Sequence, residues 1–364
     1  MKISAMARKL YEAGLDVIDL GVGEPDFATP LNICEAAYRS LQMGETHYTP
    51  TNGIPDLRVA IAMKLHNENL LEVSPDDVIV TPGAKMAVFG AIQAVIEEGD
   101  ECLLIGPSWV SYEPCVTFAG GKVVWGDVDE NFMPVNLAEA VTPKTRLIVV
   151  NSPSNPTGAV FDRKILEEIR DLAVDNRLYV LADEIYEKII YGVEHFSIGT
   201  LPGMLERTIT VNGFSKSYAM TGWRLGYFTA PREISLLVSR LLSHSVSHAT
   251  SFVQRAGVEA LRGPQQEVEN MVAEFRVRRD LLVTGLRNLG IKCSMPGGAF
   301  YVFPDVSEFG GGDDFAERLL REKLIAVTPG SAFGPGGRDH IRISYAASQE
   351  RLRLALARIE EMLG

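Results

Sequence analysis

The chain has 364 residues, of which 46% are hydrophobic and 23% are charged, and its formal net charge is -12. This composition is typical of a globular protein large enough for two domains, and it needs no disulfide or metal to hold its core. The acidic charge argues against nucleic acid and anionic membrane surfaces as partners, although a local basic pocket could still bind an acidic substrate.

Cysteine and histidine usage favours a cytoplasmic protein without a metal centre. The four cysteines are scattered and form no CxxC pair, which is typical of reduced thiols. His244 and His248 are four residues apart but have no acidic or cysteine companion nearby, so we expect no metal there. The first ten residues lack a signal-like apolar core, and no apolar run approaches the length of a membrane helix.

The first part of the chain predicts helices separated by two polar loops. Amphipathic spacing predicts helices over residues 3–13, 30–43 and about 55–68, with a short strand at 17–20. The loop Gly21–Phe27 contains two glycines and a proline, which favour a turn where backbone can approach a ligand. Tyr48 lies in the second loop, where its hydroxyl could reach a phosphate or simply face solvent.

The central part of the chain predicts an α/β fold with a mostly parallel seven-stranded sheet. Its candidate strands are continuous apolar runs, typical of strands covered on both faces, and helical stretches separate several of them. The strands are predicted at 77–81, 101–105, 122–125, 146–150, 178–182, 207–211 and 225–229. Because ligands of such sheets bind at the carboxyl ends of the strands, the residues after each strand are functional candidates.

Four of these strands are followed by candidate binding residues. Pro82–Lys85 opens a helix whose free N–H groups can bind an anion, and Trp109 could stack on a flat ring or belong to the core. Asn155 would place an amide at the same sheet edge, unless its Asn-Pro loop is only a turn. Asp183 follows a buried strand, where a carboxylate is costly unless it is paired. It could face a pyridinium nitrogen or cap a helix.

A lysine lies in the loop between the last two predicted strands. Burial there would lower the pKa of Lys216, and a partly neutral lysine can attack an aldehyde and hold it as a Schiff base. Arg224, at the end of the same loop, offers a fixed charged fork that suits a phosphate. An aldehyde that carries a phosphate describes pyridoxal 5'-phosphate (PLP). A connecting loop with an incidental lysine is the alternative.

From about residue 262 the chain predicts a second, smaller α/β unit. A charged helix is expected over 267–288, followed by a glycine-rich turn, short strands and a terminal helix from Gln349. Arg342 lies between Ile341 and Ile343 in an apolar strand, where a buried guanidinium requires a carboxylate partner. We expect a substrate to supply that carboxylate, and an internal Asp or Glu is the alternative.

Together these motifs resemble the class I/II PLP-dependent aminotransferases of fold type I, the aspartate aminotransferase superfamily. The matching stretches cover nearly the whole chain: they are Gly21–Phe27, His47–Arg58, Thr81–Lys85, Pro107–Tyr112, Asn151–Gly158, Ala182–Tyr186, Val211–Tyr227, Pro296–Tyr301 and Arg342–Ala346. The resemblance implies a large PLP-binding domain of residues 26–262 and a small domain of residues 1–25 and 263–364. It also implies a homodimer with shared active sites. Relatives usually carry further residues before Ile3, so an N-terminal arm is either missing or lies upstream.

The resemblance implies roles for individual residues around the cofactor. Lys216 is expected to hold PLP and to shuttle a proton between the substrate α-carbon and the cofactor, and Asp183 is expected to pair with the ring nitrogen. Tyr186 is expected to bind the phenolic oxygen together with Asn155. The expected phosphate ligands are Ser215, Arg224, the backbone of Gly83, Ala84 and Lys85, and Tyr48 of the partner subunit. Trp109 is expected to stack on the ring.

The expected substrate ligands surround an arginine. Arg342 would clamp the α-carboxylate bidentately, helped by Asn155 and the backbone at Gly23, with Trp109 and Lys85 nearby. The implied reaction is ping-pong transfer, in which an L-amino acid gives up its amino group, leaves as a 2-oxo acid, and a second 2-oxo acid accepts the amino group.

Substrate choice is left open by these motifs. Lys85 stands where some relatives place a lysine that meets an acidic side chain, so we expect aspartate and 2-oxoglutarate. A Lys85 that points to solvent would remove this preference. Aromatic and alanine aminotransferases share the same motifs, and PLP β-lyases, decarboxylases or a non-catalytic PLP-binding regulator are further alternatives.

Overall fold

The computed structural model describes residues 2–364, so Met1, which we assigned to the small domain, lies outside the described residues. The strands are β1 (Ile18–Asp19), β2 (Val78–Thr81), β3 (Glu101–Ile105), β4 (Lys122–Val128), β5 (Pro134–Val135), β6 (Thr145–Asn151), β7 (Tyr179–Asp183), β8 (Thr208–Gly213), β9 (Gly226–Thr229), β10 (Tyr301–Val302), β11 (Ile325–Ala326), β12 (Thr328–Pro329) and β13 (Ile341–Ser344).

Helices separate most of these strands. The α-helices are α1 (Lys2–Glu12), α2 (Leu31–Gln42), α3 (Pro55–Asn69), α4 (Ala84–Val95), α5 (Tyr112–Phe118), α6 (Arg163–Asp175), α7 (Arg232–Ser245), α8 (Ser251–Arg262), α9 (Gln266–Asn288), α10 (Gly312–Lys323) and α11 (Gln349–Leu363). Short 3-10 helices lie at Pro75–Asp77, Leu137–Ala140, Ile198–Thr200, Thr221–Trp223, Ser307–Phe309 and Gly330–Phe333. Among the described residues, no helix is long and apolar enough to cross a membrane.

The main sheet has the strand order β2-β9-β8-β7-β6-β3-β4-β5. Neighbours from β8 to β4 are parallel, whereas β9 is antiparallel to both β2 and β8. The predicted mostly parallel α/β sheet is therefore confirmed, and its seven predicted strands all form. The eighth strand, β5, is a two-residue antiparallel addition at the edge, and so short an element leaves no apolar run in the sequence.

The main sheet is covered on both faces, which explains its continuous apolar strands. Successive side chains of a strand point to opposite faces. In β3, Cys102 and Leu104 accordingly pack in a core with helices α4 and α7, whereas Leu103 and Ile105 pack in another core with α6. This burial on both sides leaves the strand ends and their loops as the accessible edge of the sheet.

A separate core, away from the two faces of the main sheet, unites the two ends of the chain. β1 pairs with β11, and Ile18 and Leu20 share a core with Phe275, Phe300 and Tyr345. Strands β10, β13 and β12 form a small antiparallel sheet beside it. These contacts support grouping residues 1–25 with 263–364, and the division into a large and a small domain stays a prediction.

Candidate active site

A cavity of about 320 Å³ opens at the carboxyl ends of the parallel strands. Most of the predicted site residues line this cavity: they are Gly23, Ala84, Lys85, Trp109, Asn155, Asp183, Tyr186, Ser215, Lys216, Arg224 and Arg342. Loops after β3, β6, β7 and β8 supply several of them, as expected for a parallel sheet. Residues far apart in the sequence thus meet at one edge.

Two predicted site residues are not among the lining residues. Gly83 lies just behind the cavity wall, against Arg224. Tyr48 is 90% exposed, and its ring packs edge to face against that of His248 at 5.6 Å. The chain therefore does not bring Tyr48 to its own cavity, and its role toward a partner subunit stays a prediction.

Lys216 follows β8 and reaches the cavity from a short turn. Its Nζ donates a hydrogen bond to the carbonyl oxygen of Gly23 at 2.6 Å. Burial lowers the pKa of Lys216 to about 8, although the nearby Glu24 carboxylate opposes this shift. A minor but useful fraction of the side chain is therefore a neutral amine near pH 7, able to act as a nucleophile or a base.

Asp183 is the last residue of β7 and is buried beneath the cavity. Tyr112 donates its hydroxyl proton to Oδ2 of Asp183 at 2.6 Å, and the backbone N–H of Ile185 lies 3.3 Å from Oδ1. Burial raises the pKa of Asp183 to about 6, while the Tyr112 hydrogen bond opposes the shift. The carboxylate is thus charged at neutral pH and pairs with no cation through a salt bridge in the described chain, so it can accept a cationic group.

Arg342 extends from β13 into the cavity and is held by neutral groups. Its Nη1 donates to Oδ1 of Asn155 at 3.0 Å, and its Nη2 donates to the carbonyl oxygen of Gly21 at 2.6 Å. Its buried Nε has no hydrogen-bond partner among the described residues, and no acidic side chain there pairs with it. The internal-carboxylate alternative is therefore not supported, and one donor remains for a bound anion.

A cluster of positive groups lies at the start of α4. The helix begins at Ala84, directly after Gly83, and its first N–H groups have no partner within the helix. The Arg224 guanidinium packs against Gly83 and donates to the carbonyl oxygen of Thr221 at 2.8 Å. Helix terminus and guanidinium together form a site for a small anion.

Lys85 and Trp109 form one wall of the cavity. Nζ of Lys85 lies 5.0 Å from the centroid of the Trp109 ring. The two side chains line the cavity together, and Lys85 is also an exposed residue, so it lies at the mouth of the cavity and faces solvent as well. Its positive charge is available to an acidic ligand.

The sequence-based prediction missed four polar residues that line the cavity, namely Tyr112, Asn151, Thr221 and Tyr301. Each stands within a motif that we singled out, and its position there was the available signal. Tyr112 closes the Trp109 loop, and Asn151 opens the Asn155 loop, where it accepts the N–H of Asn155. Side-chain direction, which spacing alone does not reveal, separates these residues from their neighbours.

A lysine, a buried carboxylate and an arginine around one cavity of an α/β fold define the site expected of an aminotransferase. Comparison with known sequences agrees. The family described as aminotransferase class I and II matches residues 15–359. The chain therefore belongs to this family, as its motifs suggested.

Individual relatives match the chain over almost its whole length. A probable aspartate aminotransferase of Methanocaldococcus jannaschii is 45% identical and aligns with 100% of this chain and 97% of its own. A single-mutant structure of Thermus thermophilus aspartate aminotransferase has a TM-score of 0.95 and 44% identity. The alignment covers 99% of this chain and 95% of that one. The aromatic aminotransferase of Pyrococcus horikoshii OT3 has a TM-score of 0.94 and 43% identity, covering 98% of each chain.

Proposed function

We propose that the protein is a PLP-dependent aminotransferase that moves the amino group of aspartate to 2-oxoglutarate. The observation that carries this proposal is the shared cavity of Lys216, Asp183 and Arg342. A lysine of lowered pKa, a buried carboxylate without a cation and an arginine with a free donor are the three groups that the reaction requires.

The residues present fit PLP. Lys216 would bind the aldehyde carbon, and Asp183 would pair with the ring nitrogen. The helix start at Gly83–Lys85, with Ser215 and Arg224, would hold the phosphate. The supporting observation is chemical: the anion site, the amine and the buried carboxylate occur in one cavity with an indole on its wall. The proposed ring contacts of Trp109, Tyr186 and Asn155 rest on the same arrangement.

The chain's own groups can carry out the proton movements of transamination. When bound, PLP supplies the carbon that accepts the amino group and the ring that takes up an electron pair. Arg342, with Asn155 and Gly23, would fix the α-carboxylate and so orient the α-carbon toward Lys216. Nζ of Lys216, neutral after release from the cofactor, would take up the α-proton and return it during transfer.

The preference for an acidic substrate rests on Lys85. Its ammonium at the cavity mouth could pair with the side-chain carboxylate of aspartate. An aromatic amino acid is the second candidate, because Trp109 offers a ring surface in the same wall and one similar structure is an aromatic aminotransferase. Alanine lacks a group for either contact and is the weaker alternative.

The remaining expectations concern the assembly and its location. We propose a homodimer in which Tyr48 of the partner subunit reaches the phosphate, supported by the 90% exposure of this side chain. Sedimentation at several protein concentrations would test the dimer, and a single monomeric species would contradict it. The four free cysteines support the proposed cytoplasmic location.

Absorbance spectroscopy of the purified protein with added PLP tests the function. After free PLP is removed, we expect the protein to retain an absorbance band of the bound cofactor, because its conjugated ring is joined to Lys216. Aspartate should shift that band without another reactant and release its 2-oxo acid, and 2-oxoglutarate should restore it. A shift with phenylalanine alone would move the substrate to the aromatic class. Release of ammonia without an acceptor would indicate a lyase, and absence of any band would refute the proposal.

A further inference from the structure

Tyr301 occupies the boundary between the two functional halves of the cavity. It lies in β10, which pairs with β13, the strand that carries Arg342. Its side chain is buried and lines the cavity. No role was predicted for it, and it makes contacts to groups on both sides of the site.

The ring of Tyr301 faces the carboxylate-binding side. The Cζ atom of Arg342 lies 4.5 Å from the centroid of this ring, within the range of a cation–π contact. The two Nη atoms of Arg342 donate hydrogen bonds to Asn155, Gly21 and Thr328. The ring of Phe333 also lies near the guanidinium, 5.1 Å from Cζ. The Tyr301 ring is the nearer of the two rings and therefore supports Arg342 together with Phe333, while the buried Nε keeps no hydrogen-bond partner among the described residues.

The hydroxyl of Tyr301 faces the cofactor side. It lies 2.9 Å from the hydroxyl of Tyr186, and the two tyrosines come from segments 115 residues apart. A Cβ atom at Gly23 would stand only 2.6 Å from the Tyr301 oxygen. A residue larger than glycine at position 23 would thus force this hydroxyl or its surroundings to shift.

The direction of the Tyr301–Tyr186 hydrogen bond follows from the proposed role of Tyr186. If Tyr186 donates its proton to the phenolic oxygen of PLP, its own oxygen is left to accept the proton of Tyr301. Donation into the Tyr186 oxygen makes the Tyr186 proton a better donor, because hydrogen bonds in a chain polarise one another. Tyr301 would thereby strengthen the contact that keeps the lysine–cofactor linkage in its unprotonated form.

We propose that Tyr301 is a positioning residue that couples the two halves of the site, supporting Arg342 with its ring and Tyr186 with its hydroxyl. This inference rests on the proposed function. The two parts of the Tyr301 side chain have different effects in this proposal. The hydroxyl sets the protonation of the bound cofactor, and the ring sets the binding of the substrate carboxylate.

Two substitutions separate these effects. Tyr301→Phe removes the hydroxyl and keeps the ring, so the pH midpoint of the cofactor absorbance band should rise by about 0.5 to 1 pH unit. The KM for aspartate should stay within about twofold of the unsubstituted value, since the ring contact remains. Tyr301→Leu removes both groups, so KM should also rise, by roughly 2- to 30-fold.

Tyr345→Phe is the matched control. Tyr345 is fully buried in the same core and donates its hydroxyl proton to the carbonyl oxygen of Ala299 at 3.0 Å, outside the lining of the cavity. Loss of the Tyr345 hydroxyl should change thermal stability but leave the pH midpoint of the cofactor absorbance band unchanged. Thermal unfolding and circular dichroism of each variant show whether it is folded.

A double variant tests whether the hydroxyl of Tyr301 acts on the cofactor through Tyr186. In Tyr186→Phe, the further change Tyr301→Phe should no longer move the midpoint, because the acceptor of the Tyr301 proton is gone. An additive shift in the double variant would overturn the coupling. So would an unchanged midpoint in folded Tyr301→Phe, provided that the unsubstituted protein binds PLP and transaminates. If the unsubstituted protein binds no PLP, the proposed function fails and this inference fails with it.

Discussion

The chemistry of single residues here depends mainly on burial and on one or two close partners. Lys216 and Asp183 illustrate this, because burial shifts the two pKa values toward each other, to about 8 and about 6. Burial disfavours the charged form of each group, so the amine becomes easier to deprotonate and the acid harder. The shift of Lys216 serves the proposed reaction, which needs a reactive amine. The shift of Asp183 disfavours the charged carboxylate that the reaction also needs, but a pKa of about 6 still leaves most of this group ionised at neutral pH.

The lowered pKa of Lys216 leads to a prediction about its reactivity. In the cofactor-free protein, acetylation of Lys216 by trace acetic anhydride should be half-maximal near pH 8 and should fall as the pH drops, since only the neutral amine reacts. Exposed lysines should reach half-maximal labelling near pH 10.4, about the ordinary lysine value. Mass spectrometry of proteolytic peptides measures the extent of acetylation of Lys216 and of the exposed lysines at each pH. Labelling of Lys216 that parallels the surface lysines would contradict the lowered pKa.

Lys85 decides between acidic and aromatic substrates. Lys85→Met keeps the length of the side chain over Trp109 and removes its charge, so kcat/KM for aspartate should fall by about 10- to 100-fold. The value for phenylalanine should change by no more than about threefold, because no charged contact is lost. Steady-state kinetics with both donors measures this ratio. Lys164→Met, on the exposed face of α6, is the control and should alter neither value.

At the scale of elements, the junction between β2 and α4 has a backbone that only glycine suits. Gly83 has a φ of 83° and precedes the first residue of α4. A Cβ atom there would lie 2.6 Å from Nη2 of Arg224. The helix start and the guanidinium can approach the same anion only because this position lacks a side chain.

Gly83→Ala should therefore damage both stability and cofactor binding. The strained φ should cost about 1–3 kcal/mol of unfolding free energy, and the displaced Arg224 should raise the Kd for PLP by about 10-fold or more. Urea unfolding and absorbance titration measure the two effects. Gly14→Ala is the control, because its φ is 82° but nothing lies within 4 Å of the added Cβ. It should lose stability and keep its PLP affinity. Equal PLP affinity in both variants would contradict the prediction.

At the scale of the whole molecule, a buried ionic network connects α3 with the turn after β7. Lys64 donates hydrogen bonds to Glu187 and, at 2.6 Å, to Oδ1 of Asn69. Nε2 of His195 lies 3.4 Å from Oε2 of Glu184. Because Glu184 and Glu187 alternate with Asp183 and Tyr186 along the same turn, the network fixes this turn from behind the cavity.

The protonation of His195 balances the electric charge of this network. Ligand atoms of Glu184, Glu187 and His195 lie within 4.8 Å of one another, and the Lys64 ammonium already pairs with the Glu187 carboxylate. Burial by itself lowers the pKa of His195, and the carboxylates of Glu184 and Glu187 more than offset this, so the net shift is upward. Protonated His195 with Lys64 then matches the two carboxylates in charge.

The raised pKa of His195 predicts how stability depends on pH. Its folded pKa lies above the ordinary 6.5, so its contribution is complete below pH 6.5 and is lost as the pH rises through the folded value. Urea unfolding from about pH 6 to about pH 8 should show a fall in stability that is absent from His195→Asn. His244→Asn, at an exposed histidine, should keep the fall. Parallel curves for the native chain and His195→Asn would contradict the prediction.

The sequence by itself determined the elements and the main chemistry of this protein. Mostly apolar runs of four or five residues predicted the strands of the main sheet, and the loops after them contained Asp183, Lys216 and Arg224. These signals are local: a buried strand must be apolar along its length, and a polar residue at its end has few structural reasons to be there. An arginine within the apolar stretch of β13 indicated Arg342 as a substrate ligand, and the family motifs agreed with that role.

Only the tertiary structure decided which distant groups touch. Tyr112 and Asp183 are 71 residues apart, Tyr186 and Tyr301 are 115 apart, and Lys64 and Glu187 are 123 apart. Their sequence neighbourhoods contain no period or spacing that links them, because such contacts depend on how the sheet and helices pack. The two-residue β5 was missed for the same reason, since its pairing with β4 defines it rather than its composition. Residue chemistry is thus local, whereas the network that tunes it exists only in the folded chain.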